Sequence, residues 1–96
     1  MSSKEEIQSE VARTLSEMFA YPAADIVATT RLIEDLGLDS IDAIDMAVRL
    51  EKRTGFEFKS SDLRELKTVR DIVELLWNSQ FSLAKGPRES SAARLE

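Results

Sequence analysis

Residues 35–55 read DLGLDSIDAIDMAVRLEKRTG, and the fold turns on them. Asp39 and Ser40 are residue types that favour a helix start, and Asp42 adds negative charge to the first turn. Gly55 supplies a stop. The stretch therefore predicts a helix over 39–54. On a helical wheel, Ala43, Met46, Ala47 and Leu50 cluster on one side and suit a core face. Ile41, Ile44 and Val48 follow a second, offset line, bordered by Asp42, Asp45 and Arg49. A thin helical domain cannot easily bury both lines. Either all these residues are core, or part of the Ile41–Ile44–Val48 stripe is exposed as a docking surface rimmed by charge. Periodicity alone leaves both readings open.

Toward the N-terminus, Ile7, Val11, Leu15, Met18 and Phe19 recur at helical spacing within residues 3–19. Ser3 and Glu6 form a capping-box pattern, and Ala20-Tyr21-Pro22 ends the helix. Residues 20–38 make a long connection. Its Ile26, Leu32, Ile33, Leu36 and Leu38 are too apolar for a free linker, so they are expected to pack on the core. One helical turn is expected near 31–35, with Gly37 in a conformation other residues resist.

Toward the C-terminus, Phe56-Glu57-Phe58-Lys59 reads as a short extended link. Residues 60–67 predict a short third helix with Leu63 and Leu66 inward. Thr68 and Asp71 open a last helix whose inner face is Val69, Ile72, Val73, Leu76 and Trp77, fading near Gln80. No segment alternates as a strand does. The expected fold is all-α: a small four-helix bundle with three longer helices, one short third helix and a long first loop. Residues 1–80 form the helical domain and 81–96 a flexible C-terminal tail, small and polar from residue 85.

Composition narrows the chemistry. The 96 residues are 43% hydrophobic and 32% charged, a globular balance sufficient for one modest core. With no Cys and no His, disulfides, thiolate nucleophiles, Cys-based zinc sites and imidazole relays are excluded. No resident metal is expected, because the aspartates do not follow calcium-loop spacing. The formal net charge of -5 disfavours nucleic acid and favours basic protein partners. Lys85, Arg88 and Arg94 outnumber Glu89 and Glu96, so the tail does not create the acidity. The acidic run Glu34, Asp35, Asp39, Asp42 and Asp45 reads on its own as a solvated face. No apolar run is long enough to span a membrane, and MSSKEEIQSE lacks the apolar core of a signal peptide. A cytoplasmic, monomeric protein without membrane contact is the expectation.

The segment Asp35-Leu36-Gly37-Leu38-Asp39-Ser40-Ile41 resembles the signature of acyl carrier proteins, in which an Asp-Ser pair opens the second helix. The likeness continues through residues 42–51, the Phe56-Glu57-Phe58 link and the Thr68-Val69 helix start, covering roughly residues 4–80. The resemblance implies that Ser40 is esterified to 4'-phosphopantetheine, taken from coenzyme A by a separate phosphopantetheinyl transferase. It implies a carrier rather than an enzyme, showing acyl thioesters to acyl-loading, synthase or transferase enzymes of fatty acid, polyketide or related lipid synthesis. By position, Asp39, Asp42, Asp45 and Glu51 fall where the family's acidic residues meet basic docking patches. Ile41, Ile44 and Val48 fall on its exposed apolar positions. Asp39 matches the residue that helps bind magnesium transiently during cofactor transfer.

The residues themselves agree with this assignment. Ser40 has no His to activate it, and without Cys a nucleophilic sulfur must come from a cofactor. The lining of an acyl-chain pocket is expected at Ala43, Met46, Ala47 and Leu50. The chain departs from the family in Arg49, Lys52 and Arg53, which make the second half of the helix more basic. Lys59 stands where a proline is common, and Arg64, Lys67 and Arg70 add positive charge near the third helix. The docking field is thus expected to be mixed in sign. The alternative function is an acyl-carrier-like interaction module without a prosthetic group.

Overall fold

The structure, a computed structural model, describes residues 3–84, and the side chains of 3–80. Four helices occur among them: α1 Lys4–Phe19, α2 Ser40–Thr54, α3 Ser60–Glu65 and α4 Val69–Ala84. A 3₁₀ turn at Ala23–Asp25, not foreseen from sequence, lies in the first connection. No strand forms among the described residues, and one isolated antiparallel bridge joins Arg31 to Thr68. The all-α expectation holds, with three longer helices and a short third one.

Local chemistry explains the boundaries. Ser3 Oγ accepts the Glu6 N–H at 3.1 Å and caps α1. That helix ends at Ala20 in the left-handed region (φ 53), with Pro22 beyond it. Gly55 (φ 82) ends α2 and donates to the Glu51 carbonyl at 2.7 Å. Phe56 and Phe58 pack edge to face, 4.8 Å between centroids, in the expected extended link. Asp71 accepts the Thr68 N–H at 3.0 Å while the Thr68 hydroxyl accepts the Asp71 N–H at 3.3 Å, opening α4 as the sequence predicts.

α1 packs on both α2 and α4. Ile7, Val11 and Leu15 of α1 meet Met46 and Leu50 of α2 and Val69, Ile72, Val73 and Leu76 of α4 in one core. Half-buried Leu63, Leu66 and Trp77 close its edges. The long connection is sewn to the start of α4 by backbone bonds: Leu32 N–H to Lys67 O, Val69 N–H to Thr30 O, and Arg70 N–H to Ala28 O, all near 3 Å. It buries Ile26, Leu32, Leu36 and Leu38. Ile33, expected to join them, is instead 64% exposed. It sits in the 31–37 turn, where Asp35 N–H reaches Arg31 O and Gly37 N–H reaches Ile33 O; this turn puts Leu32 and Leu36 inside.

A second difference lies at the other end. α4 was expected to fade near Gln80 but continues to Ala84. Residues 77–84 contain no Gly or Pro, so nothing breaks the helix before Gly86-Pro87. The expected tail therefore begins with helix, and residues 85–96 lie outside the described residues.

Candidate functional site

The chain reaches the start of α2 through a fixed turn. Gly37 takes φ 75, a left-handed conformation that an L side chain enters at a cost of about 1–2 kcal/mol. Leu38, buried, then donates its N–H to Leu32 O at 2.9 Å. The next residue, Asp39, is the N-cap. Its carboxylate accepts the Asp42 N–H at 2.8 Å, and the Asp42 carboxylate accepts the Asp39 N–H at 3.1 Å. This reciprocal box fixes both acids against the backbone.

Ser40 is the first residue of α2 and is exposed. Asp39 uses its carboxylate on Asp42 and its carbonyl on Ala43 N–H, so the N–H groups of Ser40 and Ile41 find no acceptor among the described residues. An anion on the Ser40 oxygen would sit beside these donors at the positive end of the helix dipole.

Ser40 opens onto a cleft of about 390 Å³ between the N-terminal half of α2 and α3. Leu38, Ala43, Leu63 and Leu66 supply its apolar surface, with Ile33 and Ile44 at the edge. Arg64 and Lys67 stand on the α3 side. Of the residues expected to line an acyl pocket, Ala43 is in this cleft, whereas Met46 and Leu50 are buried in the bundle core and Ala47 does not line it. The reason is where α3 lies. Its inward leucines wall off a space against the first turn of α2, not the middle. Leu63 and Leu66 were legible as apolar positions, but nothing in the sequence placed them beside Ser40.

The second apolar line of α2 is exposed: Ile41 by 75%, Ile44 by 59% and Val48 by 46%. This rules out the reading in which all of them are core. The acids beside it are less free than the sequence suggests. Asp42 is held in the cap, and Asp45 accepts the Arg49 Nε at 3.0 Å. Glu51 is exposed but lies about 16 Å along the helix axis from Ser40. Arg49 also approaches Glu17 at 3.8 Å. Arg53 donates to Glu17 at 2.7 Å and to the buried Thr14 hydroxyl at 2.6 Å. Arg53 therefore turns toward α1, whereas Arg49 lies between Glu17 of α1 and Asp45 beside the exposed stripe.

One carboxyl near the site is shifted. The Arg31 backbone N–H, 2.7 Å away, and then the Arg31 guanidinium hold the Asp35 carboxyl below its ordinary range. Among the described residues no group of three or more acids converges as a metal cage would, and no helix is long and apolar enough to cross a membrane.

Comparison with known proteins gives one answer. Residues 9–76 match the family described as "Phosphopantetheine attachment site". The chain is 32% identical over 79 residues to an acyl carrier protein of Coprothermobacter proteolyticus, covering 82% of this chain and 96% of that one. It is 36% identical to an acyl carrier protein of Thermotoga maritima over 79% of this chain and 94% of the relative. A solved acyl carrier protein structure from Enterococcus faecalis superposes with a TM-score of 0.68 at 26% identity, covering 79% of this chain and 96% of the other.

Proposed function

The chain belongs to the acyl carrier protein family, whose prosthetic group is a covalent 4'-phosphopantetheine, and from that premise we propose that Ser40 is the attachment point. The observation that carries the proposal is an exposed hydroxyl at the first position of α2, beside unpaired N–H donors and an open, mostly apolar cleft. These residues suit the group: the phosphodiester meets donors, and the cleft meets the arm. When attached, the arm supplies the thiol that holds acyl groups as thioesters. Ser40 provides only the ester oxygen, since no His or Cys exists to make it a nucleophile in its own right.

The other residues have supporting roles. Asp39 fixes the start of α2, and during transfer of the arm it takes part in holding a magnesium ion in the complex with the transferase. Ile41, Ile44 and Val48 form the apolar part of the docking surface, with Asp39, Asp42, Asp45 and Glu51 around it for basic patches on acyl-loading, synthase or transferase enzymes. The protein acts as a monomeric carrier in the cytoplasm, in fatty acid, polyketide or related lipid synthesis, and catalyses no step itself. Residues 1–80 hold all of this machinery. The acyl chain, when withdrawn from solvent, enters the cleft of Leu38, Ala43, Leu63 and Leu66.

The test is direct. Incubated with coenzyme A and a broad-specificity phosphopantetheinyl transferase, the protein is expected to gain the mass of one arm, and Ser40→Ala is expected to gain nothing while keeping its helical circular dichroism. An unchanged parent mass would favour an interaction module without a prosthetic group. A gain that survives Ser40→Ala would move the attachment elsewhere.

A further inference from the structure

The cationic residues of this molecule fall into two groups. Lys4, Arg13, Arg31, Arg49 and Arg53 each have a carboxylate within ion-pairing distance. Lys52, Lys59, Arg64, Lys67 and Arg70 have none among the described residues, and of these five Arg64 and Lys67 are set apart by their place. Both are exposed, and both line the same cleft as Ser40. The cleft's acid, Asp39, accepts the Asp42 N–H and keeps its charge, but forms no ion pair with either cation. The cleft thus joins an apolar floor to two positive charges without an ion-pair partner among the described residues, and the attachment serine lines the same cleft.

An apolar chain alone gives no reason for those charges. An anionic group in the cleft does, and accepting the reading of Ser40 above, one is always there: the phosphodiester of the arm. It is bonded to a residue that lines the cleft, and it sits beside Asp39 and Asp42, whose negative charges oppose it. Cations lining the same cleft offset that repulsion. We infer that Arg64 and Lys67 are positioning residues for the prosthetic arm: they attract its phosphodiester within the cleft and lay the arm over the apolar floor rather than out in solvent. Arg64 suits this role because its planar guanidinium offers paired donors to phosphate oxygens. The attraction is between exposed groups and is therefore sensitive to salt.

The experiment compares amide and methyl NMR spectra of the apo and arm-bearing proteins, with intact mass as the first gate. No mass gain would defeat the Ser40 reading and, with it, this inference, which needs the phosphodiester; with the gain in hand, the spectra test the inference alone. Arm attachment is expected to shift the Arg64 Nε–H and the signals of Leu38, Leu63 and Leu66 at about 0.05 M salt. Those shifts should shrink at about 0.5 M salt, where the Debye length is about 4 Å. In Arg64→Gln/Lys67→Gln the shifts at Leu38, Leu63 and Leu66 should be lost, with arm attachment and thermal melting retained. Retained cleft shifts in that variant would overturn the inference, as would shifts indifferent to salt. Two loaded forms identify the anion: a hexanoyl cargo and one ending in a carboxylate. Shifts at Arg64 that are present with the free thiol and persist with hexanoyl support the phosphodiester. Shifts that arise only with the carboxylate-ended cargo would overturn it in favour of cargo recognition.

Discussion

Asp39 carries two duties that pull on the same side chain. Its carboxylate caps α2 through the Asp42 N–H, and in the proposed function it also meets the transferase's metal. Asp39→Ala is expected to cost about 1 kcal/mol through loss of the cap. That corresponds to a fall in melting temperature of about 4–8 °C for a domain this size; a variant that melts with the parent would show the box contributes nothing to α2. Asp35 gives the pH counterpart. Its carboxyl is held below the ordinary range by the Arg31 N–H and guanidinium, so its contribution is fully present above the unfolded-state value. It is lost as pH falls through the lowered folded-state value, loosening the 31–37 turn that leads to Ser40. A carboxyl-carbon NMR titration should give a midpoint below about 3.9, the usual Asp value; a midpoint at or above that value contradicts the geometry.

At the level of the element, α2 is a helix with two apolar faces, of which the bundle uses one. Met46 and Leu50 are buried, whereas Ile41, Ile44 and Val48 stay in solvent. Because Ile44 is largely exposed, Ile44→Ser is expected to change stability by no more than about 0.5 kcal/mol. The same limit is expected for Asp45→Lys, which loses only a surface pair with Arg49. Both variants should bind a cognate synthase more weakly. Only Asp45→Lys should also flatten the salt dependence, since it alters charge and Ile44→Ser does not. Parental binding by both variants at low salt would mean partners dock elsewhere. Asp42 is a poorer probe of docking, because reversing it also breaks the α2 cap.

Across the whole molecule, α2 is held to α1 at its far end by Arg53, whose guanidinium bonds both the buried Thr14 hydroxyl and Glu17. Arg53→Ala is expected to destabilise the domain by about 1–3 kcal/mol, read by urea unfolding, because a hydrogen bond to a charged group is lost from a buried hydroxyl. A loss below about 0.5 kcal/mol would mark the contact as a surface pair of little consequence. From the sequence, Arg49 and Arg53 were simply positive residues on α2; which way they face depends on where α1 lies. The same division runs through the protein. Helix starts at Ser3, Asp39 and Thr68, the stop at Gly55 and the inner faces of α1 and α4 were legible because caps and 3.6-residue periodicity act over a few neighbouring residues. The Asp-Ser start of α2 was legible for the same reason. The exposure of Ile33, the outward face of α2 and the assembly of Leu38, Leu63, Leu66, Arg64 and Lys67 into one cleft beside Ser40 were not. Those depend on how the long connection is tied to α4 and where a four-residue link sets down α3, distances that only the folded chain closes.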